Sequence, residues 1–365
     1  MDDPQPFTPT QRRQFSRALL AWFATAARDL PWRQTRDLYR IWISEIMLQQ
    51  TQVATVIGYY ERFVQAFPKV AALAAADESQ VLRLWEGLGY YRRARQLHAA
   101  AKKIVAEQGG QFPRSFEAVR ALPGIGRYTA GAILSIGLDQ RLPILEANTI
   151  RVLSRLIALR EDPRTTQSQT RLWQVAEEIL PAANCGAFNQ ALMELGSEIC
   201  TPKQPQCNAC PVAPFCAARA QGLTDVIPLV AKKMKYEDVT ETAIVVRRGN
   251  KFLVRQCQPG ERWAGLWDFP RFASLPAEHA DWQTAAAVRL QTWLNVQIAP
   301  TKHLATTKHG VTRFRITLHV LDARWLAGGK TSDQQRWVTR AELAELPLSV
   351  TGRKIAGLLR SRVIP

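Results

Sequence analysis

Four cysteines fall within one short stretch of the chain, with six, two and five residues between successive members: Cys200, Cys207, Cys210 and Cys216. The prolines of this stretch leave it too broken for a helix or a strand. Four thiolates this close together can converge on one centre, and both a zinc ion and a [4Fe-4S] cube accept four cysteine thiolates. Spacing alone does not choose between the two, and the alternative to both is four unrelated thiols. The other cysteines, Cys185 and Cys257, are predicted to be ordinary buried thiols.

One carboxylate stands in an otherwise apolar segment. Glu45 lies in WISEIMLQQ, beside Ile43, Ile46 and Met47. An unpaired carboxylate is costly in such surroundings unless it is protonated or hydrogen-bonded, and burial makes it keep its proton near neutral pH. A carboxyl group in that state can act as a general acid. The alternative is a carboxylate on the solvated face of a helix.

A glycine-rich turn precedes another apolar segment. In ALPGIGRYTAGAIL, residues 121–134, Gly124 and Gly126 flank one isoleucine, and a helix is predicted to begin near Arg127. Glycines let the backbone turn sharply and bring bare N–H groups to a ligand, while the positive end of the helix points the same way. The pattern is typical of a helix-hairpin-helix that holds a nucleic-acid backbone without reading bases. A plain turn between two helices would also produce it.

The charge balance indicates an anionic partner. Lysine and arginine number 48 against 31 acidic residues, a formal net charge of +17. Nucleic acid is the commonest partner of so basic a chain, and a solvated basic surface is the alternative. The N-terminal stretch lacks the apolar core of a signal peptide, and no apolar run approaches the roughly 20 residues that span a bilayer. We therefore expect a soluble intracellular protein, cytoplasmic or associated with the nucleoid.

The spacing of apolar residues along the 365-residue chain changes after Cys216. Up to about Gly196 the apolar residues recur every three or four positions between prolines, which predicts many short helices. Beyond a polar, aperiodic segment, β-branched runs on either side of Gly249-Asn250 predict two strands joined by a two-residue turn, and FRITLHVLDARW predicts another strand. The segments DWQTAAAVRLQTWL and TRAELAEL are predicted to be helices. We therefore predict a helical domain over 1–217, a linker over 218–237 and an α+β domain over 238–365.

In this order, the motifs resemble those of the helix-hairpin-helix DNA glycosylases that carry a [4Fe-4S] loop. LPGIGRYTAGAIL followed by Cys-x6-Cys-x2-Cys-x5-Cys carries that resemblance. LPWRQTRDLYRIWISEIMLQQTQVATVIGYYERF and LWEGLGYYRRARQLH are similar to the adenine DNA glycosylase branch, the MutY family, and AGLWDFPRF to its Nudix-related second domain. The resemblance spans nearly the whole chain. It implies a multidomain fold: an all-α helix-hairpin-helix glycosylase domain with a cluster loop over 200–216, plus an α+β Nudix-like C-terminal domain.

The resemblance also implies an activity. A monofunctional glycosylase of base excision repair would hydrolyse the N-glycosidic bond of adenine mispaired with 8-oxoguanine or guanine, leaving an abasic site. Related glycosylase/lyases have a lysine nucleophile where Tyr128 stands, and without an amine no Schiff base with the sugar can form. The implied cofactor is a [4Fe-4S] cluster on the four clustered cysteines. The implied partner is double-stranded DNA containing a mispaired adenine, bound by a monomer.

Two carboxylates carry the implied chemistry. In the family, the position of Glu45 protonates N7 of adenine, and an aspartate in an Asp-Gly-Asn stretch stabilises the positive charge left on the sugar. Here Glu146 replaces that aspartate and Ala147 the glycine, while Asn148 is retained. The added methylene moves the carboxylate by about 1 Å, and such a misplacement can cost about a hundredfold in rate. The alternative is that Glu146 pairs with Arg151 or caps a helix.

The remaining implied positions contact DNA. The family places a wedge at Gln50, a residue beside the opposite base at Tyr90, and an adenine contact at Gln190; Tyr90 and Tyr91 could instead be core aromatics. Phosphate or backbone contacts are predicted for several further residues: Arg33, Arg92, Arg93, Arg95, Gly124, Gly126 and Thr129. Each of the four arginines could instead be only a solvated surface charge. Because the base must leave the stack to be cut, such contacts are needed to hold the distorted duplex.

The second domain has lost one family motif and changed another. The helix TAAAVRLQTWLNV contains no acidic residue, so it cannot hold the magnesium that diphosphate hydrolysis needs. Recognition of the base opposite adenine uses a Phe-Ser-His loop in the family, and Val311-Thr312-Arg313 stand there in this chain. Thr312 keeps a hydroxyl, and Arg313 can donate to a carbonyl of an oxidised guanine or to a phosphate. Two other functions remain: a helix-hairpin-helix glycosylase with altered base specificity, and a non-catalytic iron-sulfur protein that binds lesions.

Overall fold

A computed structural model describes residues 7–229, 236–274 and 282–359. The chain divides into two compact units. The first comprises Met1–Ala75 and Arg95–Lys233, and the second comprises Ala76–Ala94 and Met234–Pro365. None of the helices in the described ranges is both long and apolar enough to cross a membrane.

The first unit is helical. Its helices are α1 (Pro9–Ala26), α2 (Leu38–Leu48), α3 (Val53–Ala66), α4 (Val70–Ala75), most of α6 (Arg92–Gln108), α7 (Phe116–Arg120), α8 (Arg127–Leu138), α9 (Ala147–Leu156), α10 (Thr166–Ile179), α11 (Cys185–Glu194) and α12 (Ala217–Ala220). A π-helical turn, Leu195–Ile199, continues α11, and short 3-10 turns interrupt the cysteine segment. The prediction of short helices separated by prolines is confirmed, as is the irregular cysteine loop.

A close helix contact brings together two helices that later form the site. Gly186, in the first turn of α11, lies against the backbone of α8, where a Cβ atom would meet the carbonyl oxygen of Ser135 at 2.4 Å. The Asn189 side chain donates to the Ser135 hydroxyl at 2.8 Å and to the Leu142 carbonyl at 2.9 Å. Because a backbone cannot move aside as a flexible side chain can, only glycine allows these helices to approach so closely.

The second unit is built on a seven-stranded sheet. Its strands are β1 (Glu237–Arg248), β2 (Lys251–Gln256), β3 (Trp267–Asp268), β4 (Arg271–Ala273), β5 (Val296–Val311), β6 (Phe314–Gly328) and β7 (Gln335–Thr339). The order is β3-β2-β1-β6-β5, with β4 on β1 and β7 on β2. Only β1 and β6 pair in parallel among the described strands. The helices are α5 (Glu78–Trp85), α13 (Trp282–Leu294), α14 (Arg340–Glu345) and α15 (Val350–Leu358).

Alternate residues of β1 serve two cores. Ala243 and Val245 pack in one cluster with Leu343 and Ile355 of α14 and α15. Ile244 and Val246 pack in a second cluster that includes Leu290 of α13. The strand, turn and strand around Gly249-Asn250 are confirmed by the pairing of Arg248 with Lys251, and the two predicted helices correspond to α13 and α14. A sheet covered by helices on both faces follows from this alternation.

The predicted domain boundaries differ from the two units in one respect. Residues 76–94, which include α5, group with the sheet and not with the other helices. Part of the predicted linker, 230–235, lies outside the described residues. The boundaries at 217 and 238 stay a prediction.

Candidate active site

A cavity of about 420 Å³ opens in the first unit between α2, α8, α9 and α11. Its lining includes the predicted residues Glu45, Gln50, Tyr128, Glu146, Asn148 and Gln190. Arg33, predicted to meet DNA, also lines it. The volume lies in the range of small-molecule sites. Four helices therefore bring residues 45, 128, 146 and 190 to one place.

The Glu45 carboxyl group is buried and hydrogen-bonded. Glu45 is 4% exposed, and the Tyr128 hydroxyl donates to its Oε2 at 2.6 Å. Burial raises the pKa of Glu45 to about 7, against the opposing effect of the Tyr128 hydrogen bond; the negative charge of Glu146 raises this pKa further. Burial also raises the pKa of Tyr128 well above its usual value, so the phenol keeps its proton and remains the donor. The prediction of a buried carboxyl group is confirmed, and the solvated alternative is wrong.

Glu146 is the N-cap residue of α9 and also faces the cavity. Its Oε2 accepts from the Asn148 N–H at 2.8 Å and its Oε1 from the Thr149 N–H at 2.9 Å. Burial raises the pKa of Glu146, and these two backbone hydrogen bonds act in the opposite direction. The longer carboxylate is thus held by both oxygens. Capping, one of the two alternatives to a role in the cavity, is observed, and it is compatible with that role because the capped carboxylate lines the cavity.

Arg151 does not hydrogen-bond to Glu146 but joins the cavity wall to the cysteine loop. Its guanidinium donates to the Asn148 side-chain oxygen at 2.9 Å, to the Gly196 carbonyl at 2.6 Å and to the Cys200 carbonyl at 2.7 Å. One turn further along α9, Arg155 donates to the Cys200 Sγ at 3.2 Å and to the Thr201 carbonyl at 2.8 Å. Helix α9 therefore connects Asn148 to the first clustered cysteine. Sequence reasoning missed the structural role of these arginines.

The four clustered cysteines line one small cavity of about 30 Å³ together with Arg155. Among the residues that the structure describes, no three His, Cys, Asp or Glu side chains are placed to hold a single metal ion. The cysteines nevertheless face a common space, and the Arg155 guanidinium donates to Cys200 Sγ at its edge. Four cysteine thiolates around one space are the ligands of a [4Fe-4S] cluster. Each thiolate binds a different iron of the cube, so the four sulfur atoms lie further apart than they would around a single metal ion. The residues therefore fit the group that the resemblance implies.

A buried carboxylate that sequence reasoning missed organises one wall of the cavity. Glu194 is 1% exposed, and it accepts hydrogen bonds from Arg28 at 2.7 and 2.8 Å and from Arg33 at 2.9 and 3.2 Å. Burial alone would raise its pKa, but the hydrogen bonds from Arg28 and Arg33 lower the pKa of Glu194 to about 2. A signal was available, since Glu194 lies between Met193 and Leu195, much as Glu45 lies among apolar residues. Arg33 is thus an ion-pair partner in the cavity wall, and a DNA contact for it stays a prediction.

The predicted helix-hairpin-helix joins α7 to α8. Gly124 has a φ of +78°, and a Cβ atom there would lie 2.8 Å from Cβ of Gln96. Gly126 is the N-cap residue of α8, no side chain caps the helix, and a Cβ atom at Gly126 would meet nothing within 4 Å. The first turn of α8 therefore has no side-chain cap, and uncapped N–H groups at the start of a helix are what a phosphate site requires. Thr129 is 2% exposed and its hydroxyl accepts from Gln49 at 3.3 Å, and a DNA contact for it stays a prediction.

Three residues predicted to contact the duplex have left-handed backbones. The φ angles are +57° at Gln50, +49° at Tyr90 and +52° at Thr312. Such angles are uncommon for residues other than glycine, and they are most costly for a β-branched residue such as threonine. Tyr90 is 48% exposed whereas Tyr91 is 6% exposed, so the core alternative holds for Tyr91 only. Backbone strain at exposed residues is typical of binding sites.

The loop predicted to read the opposite base is the tip of the β5–β6 hairpin. Val311 pairs with Phe314, which leaves Thr312 and Arg313 as the turn. The Arg313 side chain is 63% exposed and lies 3.6 Å from Glu237. Of the other predicted phosphate contacts, Arg93 is 7% exposed and donates to the carbonyls of Leu88 and Gly89. Arg93 therefore supports the loop that carries Tyr90.

The helical unit and its acidic cavity define a class of base excision repair protein. Residues 43–178 match the family described as HhH-GPD superfamily base excision DNA repair protein, and residues 242–357 match the NUDIX domain. A thermostable thymine-DNA glycosylase structure is similar with a TM-score of 0.53 and 29% identity over 58% of this chain and 98% of its own. A non-covalent endonuclease III–DNA complex, 20% identical with a TM-score of 0.51 over 60% of this chain and 99% of its own, shares the fold.

Curated relatives narrow the class. The adenine DNA glycosylase of Rattus norvegicus is 35% identical over 93% of this chain and 77% of its own length. The adenine DNA glycosylase of Homo sapiens is 33% identical over 93% of this chain and 73% of its own length. That of Buchnera aphidicola subsp. Schizaphis graminum is 40% identical over 71% of this chain and 75% of its own length. This chain belongs to the adenine DNA glycosylase family.

The raised pKa of Glu45 has a consequence for stability. The folded protein keeps a proton on this group up to about pH 7, whereas the unfolded chain releases it near 4.5. Glu45 therefore contributes stability below pH 4.5 that is lost as the pH rises towards 7. We expect the free energy of unfolding of the parent to fall across this window relative to that of Glu45→Gln, as measured by urea denaturation at a series of pH values. A difference that does not change with pH would mean that Glu45 is ionised in the folded protein.

Proposed function

We propose that this protein hydrolyses the N-glycosidic bond of adenine mispaired with 8-oxoguanine or guanine in double-stranded DNA, leaving an abasic site. One observation carries the proposal: a carboxyl group whose pKa is about 7 faces a cavity of about 420 Å³. A flipped-out base needs a pocket of this kind, and adenine needs a proton to become a good leaving group. The place of a lysine nucleophile is taken by Tyr128, which donates to the acid. This arrangement favours base release without cleavage of the strand.

Glu45 supplies the proton. Its acid form transfers the proton to ring nitrogen N7 of adenine as the bond between C1′ and N9 breaks, and the bonding electrons leave with the neutral base. Water then adds to C1′ and gives up one proton to a carboxylate, which restores the charge balance. The buried Tyr128 hydrogen bond orients the acid and stabilises the carboxylate that remains after transfer.

Glu146 stabilises the positive charge that develops on the sugar. Both of its oxygens are held by N–H groups at the start of α9, so the carboxylate is positioned before the substrate arrives. A fixed charge that does not have to reorganise is the most effective kind of electrostatic stabilisation. Asn148 follows in the same turn, where Arg151 holds its side chain.

The contacts with the duplex are divided between the two units. In the first unit, we propose that Gln50 enters the duplex and that the uncapped start of α8 holds a phosphate, while Gln190 contacts the adenine. In the second unit, we propose that Tyr90, Thr312 and Arg313 read the opposite base. The exposure of Tyr90 and Arg313 and the left-handed backbones of Tyr90 and Thr312 support this assignment.

The cofactor that we propose is a [4Fe-4S] cluster on Cys200, Cys207, Cys210 and Cys216. When bound, such a cluster supplies iron–thiolate bonds that hold an irregular loop in one conformation. Arg155 donates to the sulfur of Cys200, and Arg151 transmits the position of the loop to Asn148 through the Cys200 carbonyl. The proposed role of the cluster is therefore to position α9 and its N-cap.

The test of the proposed activity is a single-turnover assay on duplexes with adenine opposite 8-oxoguanine, guanine or thymine, each analysed with and without hot alkali. We expect alkali-dependent cleavage at adenine, fastest opposite 8-oxoguanine, and a loss of at least about a hundredfold in Glu45→Gln because general acids contribute about that much. Release of another base would favour altered specificity. Tight binding without alkali-labile sites would favour a lesion-binding protein whose longer Glu146 does not serve catalysis.

The pH dependence of base release should respond in opposite directions to two substitutions. The rate should fall as the pH rises through about 7, because Glu45 then loses its proton. Tyr128→Phe removes a hydrogen bond that lowers the pKa of Glu45, so the fall should move to higher pH. Glu146→Gln removes a charge that raises this pKa, so the fall should move to lower pH. Single-turnover rates over a range from about pH 5 to about pH 9 measure both shifts, and shifts of the same sign would contradict the assignment of Glu45.

The cofactor is tested by colour and metal content. We expect brown protein with broad visible absorbance that survives chelation, since iron-sulfur clusters absorb visible light and zinc does not. Cys210→Ser should bleach the protein, whereas Cys257→Ser, outside the loop, serves as the control. Colourless protein with bound zinc from an anaerobic preparation would rule out the cluster.

A further inference from the structure

The segment 76–94 belongs to the second unit, and one ion pair ties it to α15. The Glu86 carboxylate accepts from Arg353 twice, at 2.6 Å from Nε and 2.8 Å from Nη2. Its Oε2 also accepts from the Leu348 N–H at 3.1 Å. The Glu86 side chain is 8% exposed and that of Arg353 is 26% exposed. A two-point pair between partly buried groups fixes orientation as well as distance.

Both partners lie at the C-terminal ends of helices, Glu86 at that of α5 and the Arg353 guanidinium at that of α14. Glu86 is the C-cap residue of α5, where the negative end of the helix disfavours a carboxylate. Arg353 donates to the carbonyls of Leu343, Ala344 and Leu346 at the C-terminal end of α14, where a cation is favoured. The guanidinium therefore serves α14 and Glu86 together. We call this contact, Glu86 with Arg353, the joint.

On one side of the joint, Glu86 leads directly into the loop that carries Tyr90. The Trp85 indole donates to the Gly89 carbonyl at 3.1 Å, and the Gly87 N–H donates to the Tyr91 hydroxyl at 3.2 Å. The Arg93 guanidinium lies over the rings of Trp85 and Tyr90, 5.3 and 5.5 Å from their centroids. These contacts tie Tyr90 to the end of α5. A displacement of Glu86 would therefore displace Tyr90.

On the other side, polar contacts lead from α15 to the β5–β6 hairpin. Thr351 accepts from Arg271 at 2.7 Å, and Arg271 lies 3.3 Å from the His309 Nε2 of β5. Arg271 also pairs with Glu241, which binds Arg262, and the Arg262 guanidinium lies 4.6 Å from the centroid of the Phe314 ring. Phe314 closes the turn of Thr312 and Arg313. Continuous contacts thus extend from α15 to the hairpin tip.

We infer that the joint sets the position of Tyr90 relative to Thr312 and Arg313, so that discrimination of the opposite base depends on Glu86 and Arg353 although neither touches that base. Both are positioning residues, and the inference rests on the proposed function. The loop that follows α5 and the tip of the β5–β6 hairpin are then held in a fixed relation and contact the opposite base together. A shift of about 1 Å at such a reading group can cost up to about a hundredfold in rate.

The test compares the parent with Glu86→Gln, Arg353→Lys and the double variant. Glu86→Gln removes the charge, whereas Arg353→Lys keeps the charge and loses the two-point geometry. Glu261→Gln is the matched control, because Glu261 pairs with Arg255 at 2.7 Å in the same unit but outside the segment 76–94. Single-turnover excision is measured for adenine opposite 8-oxoguanine, opposite guanine and opposite an abasic-site analogue that offers no base to read. Dissociation constants for duplexes with an uncleavable adenine analogue measure discrimination without chemistry, and amide exchange over 87–91 reports on the loop.

We expect the ratio of rates opposite 8-oxoguanine and opposite guanine to fall about tenfold in both single variants. The double variant should lose no more than the larger single one, exchange over 87–91 should rise, and the rate opposite the abasic analogue should stay within about twofold of that of the parent. Equal slowing on all three duplexes, or an unchanged ratio with folded protein, would overturn the inference. If the parent excises no adenine, the proposed activity fails, and the dissociation constants with the exchange data still decide whether the joint controls discrimination. Should Glu86→Gln not fold, Arg353→Lys carries the same comparison.

Discussion

The site depends on keeping one carboxyl group protonated near neutral pH inside a helical protein. Burial of Glu45 achieves this, but two arginines line the same cavity, and an arginine charge lowers the pKa of Glu45. Glu194 binds both guanidiniums and Glu198 binds that of Arg28, so two carboxylates balance the two positive charges in the cavity wall. The pKa of Glu45 therefore depends on the charges of the cavity wall as well as on burial. Helices α8 and α11, which carry Tyr128 and Glu194, pack closely at Gly186.

Helices α8 and α9 both begin at residues of the candidate site, and they differ in how the N–H groups of their first turns are capped. Helix α9 has its N–H groups satisfied by Glu146, which places a negative charge at the cavity. Helix α8 begins at a glycine, and no side chain caps it. The positive end of α9 thus holds a carboxylate of the protein itself, whereas the start of α8 is where we propose a phosphate contact.

Sequence patterns predicted what depends on near neighbours. The burial of Glu45 follows from the apolar residues beside it, and the strands around Gly249-Asn250 follow from their turn. The partners of the arginines could not be predicted in this way, because Arg28 and Glu194 are 166 residues apart. Glu194 itself could have been found from its apolar neighbours. Strand β5 was missed because Pro300 and three irregularities in its register break the alternation that marks a strand. Resemblance located Glu146, but only the structure shows that its longer side chain caps α9 with both oxygens.

The composition of the second unit has a consequence for how the protein is made. Its two stretches, 76–94 and 234–365, are separated by the 139 residues of 95–233. During synthesis, α5 leaves the ribosome long before α15 is made. The ion pair of Glu86 with Arg353 therefore cannot form until nearly the whole chain has emerged. Contacts between such distant stretches form late, since closing a long loop is entropically costly. A fragment that begins at residue 234 would lack residues 76–94 of its own unit, and with them the pairing of Arg353 with Glu86 and the loop that carries Tyr90.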